Sequence, residues 1–360
     1  MQCQNCGAQN KPDAQTCRVC GEPLTETRLS RRAHRHREAS QPATQRQYAW
    51  GLGLVLLVVI ALGGWWLHLR AGETTSATST PTASQASAPA TSKPAATFPT
   101  AAVRQRVQSQ VVNLAGTTSV AVRATSGRGQ VVHNNRQQRA AGLAELFVLA
   151  AVYQQAQTGK LTLTQRVTLQ AQDRVAGTGQ LQTMPAGSRF TVANLAKRMI
   201  VDSDNTATNL LIDQLGGVTA TQRVIQQLGF TKTELNRKMM DTSALKAGRD
   251  NQTTVNDVAA LLRQLYRGTL VAKTADQTML KLLKQTQGPS NLGANLPSSA
   301  TVYHLAGTYP SYGVQNEAAI VQNRHGAFVV VMLAENGQAQ AQTKRMRQLG
   351  QELTQTLLTR

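Results

Sequence analysis

The sequence predicts an α/β fold of the α+β type for its larger part, preceded by one membrane-spanning helix and a small cysteine-rich module. Three observations lead to this prediction. All four cysteines lie within the first twenty residues of the 360-residue chain. An uncharged apolar run follows at 49–69. Apolar residues with helix and strand periods return only after residue 100, and they continue to the C-terminus.

Residues 1–24 form the cysteine module. Two Cys-x2-Cys pairs are separated by ten residues, and a glycine follows each pair. Such pairs on tight turns can place four thiolates around one Zn²⁺ ion, whose binding supplies the folding energy of so short a segment. Two disulfides or a redox dithiol are the alternatives, but a cytosolic location disfavours disulfides. The module resembles small zinc ribbons, and the predicted ligands of one structural Zn²⁺ are Cys3, Cys6, Cys17 and Cys20.

The apolar run at 49–69 has the length of a membrane span. It contains no Lys, Arg, Asp or Glu, and as a helix it extends about 30 Å, the thickness of a bilayer core. Tyr48, Trp50 and Trp65 lie near its ends, where interfacial aromatic residues are common. A buried soluble helix is one alternative. A cleaved signal peptide is a poor one, because the run begins far from Met1 and lacks a small-residue cleavage site.

The flanks of this run predict its orientation. Residues 25–47, the basic juxtamembrane segment, carry six arginines. Because positive residues stay on the cytosolic side, we expect a cytosolic N-terminus and an extracellular C-terminal domain. Residues 71–99 consist almost entirely of Ser, Thr, Ala and Pro, which predicts a disordered linker. The expected localisation is a bacterial plasma membrane, crossed once.

Residues 100–360 contain helix and strand signals in a simple order. Helices are predicted at 101–114, 142–157, 191–201, 204–214, 218–228, 255–267, 275–286 and 339–358. Strands are predicted at 117–125, 130–135, 302–306, 316–322 and 327–334, and the first two form a hairpin. Since strands occur near both ends with helices between them, we expect one antiparallel sheet built from the two ends of the domain and packed against a helical lobe.

One motif in this domain carries chemistry. The triplet Ser203-Asp204-Asn205 lies between two predicted helices, and Gly307 lies on a late strand. Together with the order of the elements, these residues make the region from about 101 to 358 resemble class A β-lactamases and penicillin-binding proteins, which are serine hydrolases. The resemblance implies a β-lactamase-like domain. The pocket residues that it implies are Gly142, Glu145, Ser203, Asp204, Asn205, Leu305, Ala306 and Gly307.

The residues that carry catalysis in that family are replaced here. A Ser-x-x-Lys motif at the start of a buried central helix supplies the acylated serine and its base, and Gly142 and Glu145 occupy the matching positions. Met239 matches the deacylating glutamate, with Asp241 the nearest acid, and Leu305 matches the Lys of Lys-Thr-Gly. Because residues of one catalytic unit fail together, the resemblance implies a pseudoenzyme with no intact catalytic residue.

Several of these residues also have ordinary structural explanations. The triplet 203–205 can cap the helix that follows it, or it can face a ligand. A carboxylate in an apolar helix needs a partner, and the candidates for Glu145 are Lys197, Arg198 and the side chains of Ser203 and Asn205. With a pKa raised by burial, Glu145 is also the one plausible base for activating a water.

Two further patterns carry less weight. Ser243-Ala244-Leu245-Lys246 is a literal Ser-x-x-Lys, but it follows the Ser-Asp-Asn triplet, whereas the nucleophile of the family precedes it. We expect His304 to be a strand residue beside the pocket. The histidines at 34 and 36 belong to the basic segment and not to a metal site.

Charge bears on the partners. The chain has a net charge of +20 at pH 7, and residues 71–360 hold 29 Lys and Arg against 14 Asp and Glu. Such an excess attracts polyanions, or it is simply a solvated surface. An aromatic content of 4% and the expected location argue against nucleic acid. The expected partners are the membrane, a cell-wall polymer or peptidoglycan fragment, and an unidentified cytosolic partner of the ribbon.

The expected function is non-catalytic binding or sensing of a cell-wall component. A working serine hydrolase with an unrecognised nucleophile is the first alternative. A structural surface protein that binds nothing small is the second. A penicillin label separates the hydrolase from the other two readings, and binding of wall fragments separates those two from each other.

Overall fold

The structure, a computed structural model, describes residues 11–15 and 98–359. Residues 11–15 form a turn in which Ala14 N donates a hydrogen bond to Lys11 O at 3.2 Å. The four predicted cysteine ligands, the basic segment, the predicted span at 49–69 and the linker up to residue 97 lie outside these ranges. Within them, no helix is both long enough and apolar enough to cross a bilayer.

Nine strands in the described residues form three antiparallel sheets. The main sheet has the order β2-β1-β9-β8-β7. Its strands are β1 (Thr117–Ala124), β2 (Gln130–His133), β7 (Thr301–Tyr309), β8 (Val314–Asn323) and β9 (Gly326–Glu335). The two small sheets pair β3 (Gln138–Arg139) with β6 (Gln252–Thr253), and β4 (Arg166–Thr168) with β5 (Arg189–Thr191).

The pairing of β1 with β9 joins the two ends of the domain. Thr117 lies opposite Glu335, and Ala124 lies opposite Phe328, in an antiparallel register without interruption. The hairpin of β1 and β2 and the meander of β7, β8 and β9 complete the sheet. This arrangement confirms the prediction of one antiparallel sheet formed by both ends of the domain.

The main sheet is covered on both faces, and side-chain alternation divides the core accordingly. On β9, Val329 and Val331 belong to the larger apolar cluster, which includes the central helices. Val330 and Met332 point the other way, into a second cluster. Because both faces of β9 are buried, the strand is a continuous apolar run rather than an alternating one.

Nine α-helices occur in the described residues. They are α1 (Thr100–Val111), α2 (Ala144–Gln157), α3 (Val192–Val201), α4 (Asn205–Gln214), α5 (Val218–Gln227), α6 (Thr242–Lys246), α7 (Val255–Arg267), α8 (Lys273–Leu283) and α9 (Ala339–Leu357). Helices α1 and α9 supply residues to the second cluster, and α2 to α8 lie in the part of the chain between β3 and β7.

Helix α2 is the centre of the helical lobe. Every residue from Ala144 to Tyr153 is buried, because the helix is apolar on all sides and is surrounded by other elements. Phe147 packs edge-on against Phe230, with ring centroids 5.3 Å apart. A short 3-10 turn at Ala141–Leu143 precedes the helix and brings its first residues against β7.

The observed elements agree with most of the predicted ones and differ in detail. The predicted helix at 142–157 begins with the 3-10 turn, and β7 continues to Tyr309 rather than ending at residue 306. The two small sheets and helix α6 were not predicted. Their strands contain only two or three residues, which is too short for a periodic pattern to appear.

Candidate functional site

A cavity of about 380 Å³ opens between the 3-10 turn before α2, the loop between α3 and α4, and strand β7. Six of the eight pocket residues named from the sequence line this cavity. They are Gly142, Glu145, Ser203, Asn205, Ala306 and Gly307. The structure therefore brings together residues that are far apart in the sequence, and it turns Asp204 and Leu305 elsewhere.

Gly142, at the position that matches the nucleophile, lies against the backbone of β7. A Cβ atom built on Gly142 would lie 2.9 Å from Ala306 O and 3.2 Å from the Cα of Gly307. Ala141, just before it, has a φ of +46°, which is an unusual conformation for a residue with a side chain. Glycine thus provides no nucleophilic group here, and it fits a space that is too tight for any side chain without movement of β7.

Glu145 is 1% exposed and lines the cavity from the first turn of α2. Its Oε1 accepts a hydrogen bond from Thr208 Oγ1 at 3.4 Å, and its Oε2 has no hydrogen-bond partner among the described residues. Burial raises the pKa of Glu145 well above its usual value; the Thr208 hydrogen bond opposes this, and the nearby Asp204 carboxylate adds to it. Burial therefore favours the protonated form of this carboxyl group.

The partners proposed for Glu145 from the sequence were wrong. Arg198 lies 4.0 Å from Asp202 and over the ring of Phe190, and the observed partner is Thr208 on α4. Helical periodicity places Thr208 one turn after Asp204, but it does not reveal which face of α4 meets α2. A threonine in a capped helix carries no sequence signal for this contact.

Asp204 is fully buried and caps α4 rather than facing the cavity. Its Oδ1 accepts from Ala207 N at 2.9 Å, and its Oδ2 accepts from Gln180 N at 2.7 Å and Leu181 N at 2.8 Å. The capping explanation of the triplet therefore applies to its middle residue. The same carboxylate also holds the 3-10 turn at Leu181–Thr183 against the start of α4.

The two outer residues of the triplet connect the cavity to a glycine-rich loop. Ser203 has a φ of +46°, and its carbonyl oxygen accepts a 2.5 Å hydrogen bond from Thr178 Oγ1. Asn205 Nδ2 donates to Ala176 O at 3.2 Å. Because these contacts reach across the wall of the cavity, Thr178 and Gly177 also line it. The sequence did not lead us to place this loop at the cavity, although Gly177-Thr178-Gly179 is a pattern typical of a tight loop.

Leu305 and His304 lie away from the cavity. Leu305 is 1% exposed and belongs to the larger apolar cluster, on the face of β7 opposite to that of Ala306. His304 is buried with its Nδ1 3.4 Å from Glu317 Oε1, a carboxylate that also accepts hydrogen bonds from Ser290 Oγ at 2.6 Å and Asn291 N at 2.9 Å. His304 is a strand residue, as predicted, but it is not among the residues that line the cavity.

The loop before α6 forms the opposite wall. Met239, which matches the deacylating glutamate, lines the cavity, and its backbone is held by the side chain of Asn209 at 2.7 and 3.0 Å. Asp241 caps α6 and accepts from Ala244 N and Ser243 Oγ, which lowers its pKa. Ser243 Oγ donates a hydrogen bond to Asp241 Oδ1 at 2.8 Å, and Ser243 is not among the residues that line the cavity. The serine of this Ser-x-x-Lys therefore belongs to the cap of α6.

One cation reaches the cavity wall. Arg237 is the only Lys or Arg among the described residues that line it. Its Nε donates to Asp250 Oδ1 at 3.0 Å, and its Nη2 lies 2.8 Å from the same oxygen. Arg139 Nε is 3.1 Å from the other oxygen of Asp250. Arg237 is therefore committed to a buried ion pair, a non-local contact that the sequence did not reveal.

The chemistry of the wall follows from these residues. The cavity surface is mainly apolar, with Met239, Met240 and Leu245 on one side. The pKa of its buried acid, Glu145, is raised, and Arg237, the one cation among the described lining residues, is paired with Asp250. No cluster of three or more His, Cys, Asp or Glu that could hold a metal occurs in residues 11–15 or 98–359. Of the Ser-Asp-Asn triplet that carries the resemblance, Ser203 and Asn205 line the cavity.

Comparison with known protein families gives the class of this fold. Residues 102–357 match the model of the Beta-lactamase enzyme family, and residues 2–24 match that of a zinc-ribbon domain. Since the first match spans more than half of the chain, the chain belongs to the beta-lactamase enzyme family. The resemblance stated from the Ser-Asp-Asn triplet and the cysteine spacing is confirmed.

Individual relatives support the same classification. The chain is 27% identical over 247 residues to beta-lactamase CTX-M-6 of Salmonella typhimurium, which covers 68% of this chain and 84% of the relative. It is 33% identical over 150 residues to beta-lactamase ROB-1 of Haemophilus influenzae, covering 41% and 49% respectively. The solved beta-lactamase from Sphaerobacter thermophilus DSM 20745 superposes with a TM-score of 0.65 at 29% identity, covering 72% of this chain and 97% of that one.

Proposed function

We propose that this protein is anchored in a bacterial plasma membrane and that its extracellular β-lactamase-like domain is catalytically inactive and binds or senses a cell-wall component of the peptidoglycan type. The observation that carries the proposal is Gly142, packed against β7 where the resemblance assigns the acylated serine. Without a nucleophile the covalent route has no first step. A domain that retains its cavity without this step is suited to reversible binding.

The other replacements support the same conclusion. Glu145 stands where the family has a lysine, so the position that matches the base carries a buried carboxyl group with a raised pKa instead of an amine. Met239 cannot deprotonate a deacylating water, and the aliphatic side chain of Leu305 lies in the core. Nucleophile, base, deacylating acid and carboxylate clamp are thus replaced together, which leaves a cavity without its reaction.

The N-terminal part supplies the anchor and a cytosolic module. The uncharged run at 49–69 and the arginines before it support a single span with a cytosolic N-terminus. The zinc-ribbon match and the two Cys-x2-Cys pairs support one structural Zn²⁺ held by Cys3, Cys6, Cys17 and Cys20. In this proposal the ribbon binds an intracellular partner while the outer domain contacts the wall.

The first test is the intact mass of the purified full-length protein after incubation with excess penicillin G. An inactive site predicts an unchanged mass. Cosedimentation of the same protein with purified, insoluble cell walls then tests binding, and we expect it to pellet with them. A mass increase of one penicillin, or a failure to pellet, contradicts the proposal.

An active serine hydrolase is the second candidate. Two observations favour it: the curated relatives are named as beta-lactamases, and the Ser203 side chain lies in the cavity wall. Under this alternative the penicillin adduct forms, and peptide mapping places it on a serine. Ser203 is the first position to examine and Ser243 the second.

A further inference from the structure

Among the described residues that line the cavity, Glu145 is the one with a buried side-chain oxygen that has no hydrogen-bond partner. One oxygen meets Thr208, and the other has no partner among the described residues although it is buried. A buried polar atom without a hydrogen bond is costly, so native structures rarely retain one without a reason. A neutral carboxyl group carries one O–H, which can donate into the cavity to a ligand.

The charges around the cavity disfavour an anion. Arg237, the one cation among the described lining residues, is already paired with Asp250 at 2.8 Å. Asp241, whose pKa is lowered, adds a negative charge at the rim, and Asp204 adds another beneath the floor. A ligand carboxylate entering this space would lose its hydration without gaining a free cation, which is strongly unfavourable.

The walls favour an apolar body with few polar groups. Met239, Met240 and Leu245 form one side, and Met240 is 44% exposed at the mouth. Methionine side chains adapt to irregular shapes and are common at permissive binding surfaces. Thr178 and Asn205 supply polar groups at the opposite rim, and they suit the amide and hydroxyl groups of an uncharged ligand.

We propose that the cavity binds an uncharged ligand whose carbonyl oxygen accepts the proton of Glu145, so that the amide or ester form of a cell-wall peptide binds and its free carboxylate does not. This inference rests on the proposed function and names its ligand class. In this proposal Glu145 is the residue that distinguishes an uncharged ligand from an anionic one.

The test uses two matched pairs of probes with the full-length protein in detergent. One pair is a synthetic muramyl peptide with a terminal carboxylate and the same peptide with a terminal carboxamide. The other is penicillin G and its methyl ester. Calorimetry at neutral pH is expected to show each neutral member binding at least about tenfold more tightly than its charged counterpart, the size expected when a buried charge lacks a partner.

Variants at the floor test the donor role. Glu145→Gln keeps a neutral donor and is expected to keep the affinity for the carboxamide within about threefold, whereas Glu145→Leu, which suits an apolar helix, is expected to weaken it about tenfold. Glu234→Gln is the matched control, because Glu234 is half-buried and is not among the residues that line the cavity, and no change in binding is expected. Circular dichroism confirms that each variant is folded before binding is measured.

The outcomes separate this inference from the proposed function. Equal or tighter binding of the charged probes, or unchanged binding by Glu145→Leu, overturns the ligand class while reversible binding itself stands. Binding of neither pair by a protein that still pellets with whole walls also overturns the ligand class alone. A covalent penicillin adduct, or no interaction with walls at all, overturns the proposed function.

Discussion

Gly142 and Gly307 face each other across the narrowest point of the cavity floor. A Cβ atom on Gly307 would lie 2.5 Å from Gly142 N, and a Cβ on Gly142 would lie 3.2 Å from the Cα of Gly307. The first distance is shorter than two non-bonded heavy atoms tolerate, and the second is tighter than most Cβ contacts. The absence of both side chains therefore lets the turn before α2 approach β7 this closely, and the geometry of the floor depends on the pair.

This contact predicts that the missing serine cannot be restored by one substitution. We expect Gly142→Ser to lower the free energy of unfolding by about 1–3 kcal/mol, because the added side chain must displace β7. We expect no penicillin adduct, since Glu145 still replaces the base. Denaturant unfolding and intact mass measure the two effects. Gly288→Ala is the control, because Gly288 has nothing within 4 Å of its Cβ position, and its effect should stay within about 0.5 kcal/mol.

The buried carboxyl group predicts a specific pH dependence of stability. Because the folded state raises the pKa of Glu145, it binds more protons than the unfolded state at pH values between the two pKa values. Stability is therefore full below the ordinary glutamate pKa and falls as the pH rises toward the folded value, by about 1.4 kcal/mol for each unit that separates them. Glu145→Gln should remove this loss. The free energy of unfolding of the variant, relative to that of the wild type, should therefore be higher at pH 8 than at pH 4.

The measurement is urea unfolding of wild type and Glu145→Gln from pH 4 to pH 9. The other ionisable groups near Glu145 are Asp204 beneath it and Arg237 and Asp241 in the cavity wall, and all three are the same in both proteins. Their contributions therefore cancel in the difference. A difference that does not grow with pH would show that Glu145 is ionised in the folded protein.

The cap of α4 should be among the most sensitive polar positions of the domain. Asp204→Ala removes the acceptor of three backbone N–H groups at a fully buried site, and we expect a loss of about 2–4 kcal/mol. Asp241→Ala removes a similar cap at a more exposed site, where about 0.5–1 kcal/mol is expected. Thermal unfolding compares the two, and equal losses would contradict the role of Asp204 in holding the loop at Gln180.

How far the sequence predicts this structure depends on the range of each contact. The strands β1 and β9 were predicted because strands of eight to ten residues, rich in β-branched residues in β1 and continuously apolar in the middle of β9, leave a clear pattern. The pairing of β3 with β6 was not, because two-residue strands have no period. Within 203–205, sequence alone could not show that Asp204 turns inward while its neighbours face the cavity. That choice depends on the backbone N–H groups of residues 180 and 181.

The zinc ribbon makes its own prediction. The full-length protein should contain about one zinc ion per chain, since four thiolates complete one tetrahedral site. Cys6→Ser should lose the metal, as measured by elemental analysis of the purified protein. Removal of zinc by a chelator should leave the thermal unfolding of the β-lactamase-like domain unchanged, because that domain has no cysteine. Retention of the metal by Cys6→Ser would contradict the assigned ligands.

Membrane topology can be tested with single cysteines placed on either side of the predicted span. In a background where the native cysteines are serine, Ser92→Cys lies in the linker and Ser30→Cys in the basic segment. Because an impermeant maleimide stays outside the cell, intact cells should show labelling of Ser92→Cys only. Ser30→Cys should react after permeabilisation. The reverse pattern would mean that the outer domain lies in the cytosol.

The pairing of Thr117 with Glu335 also determines when the domain can form. Strand β1 is synthesised early, but β9, its partner toward the middle of the sheet, leaves the ribosome more than two hundred residues later. The central sheet therefore cannot assemble while the chain is still being synthesised, and contacts of such long range slow folding. A chain that stops before β9 has β1 without this neighbour, so premature termination removes the whole domain rather than its last portion.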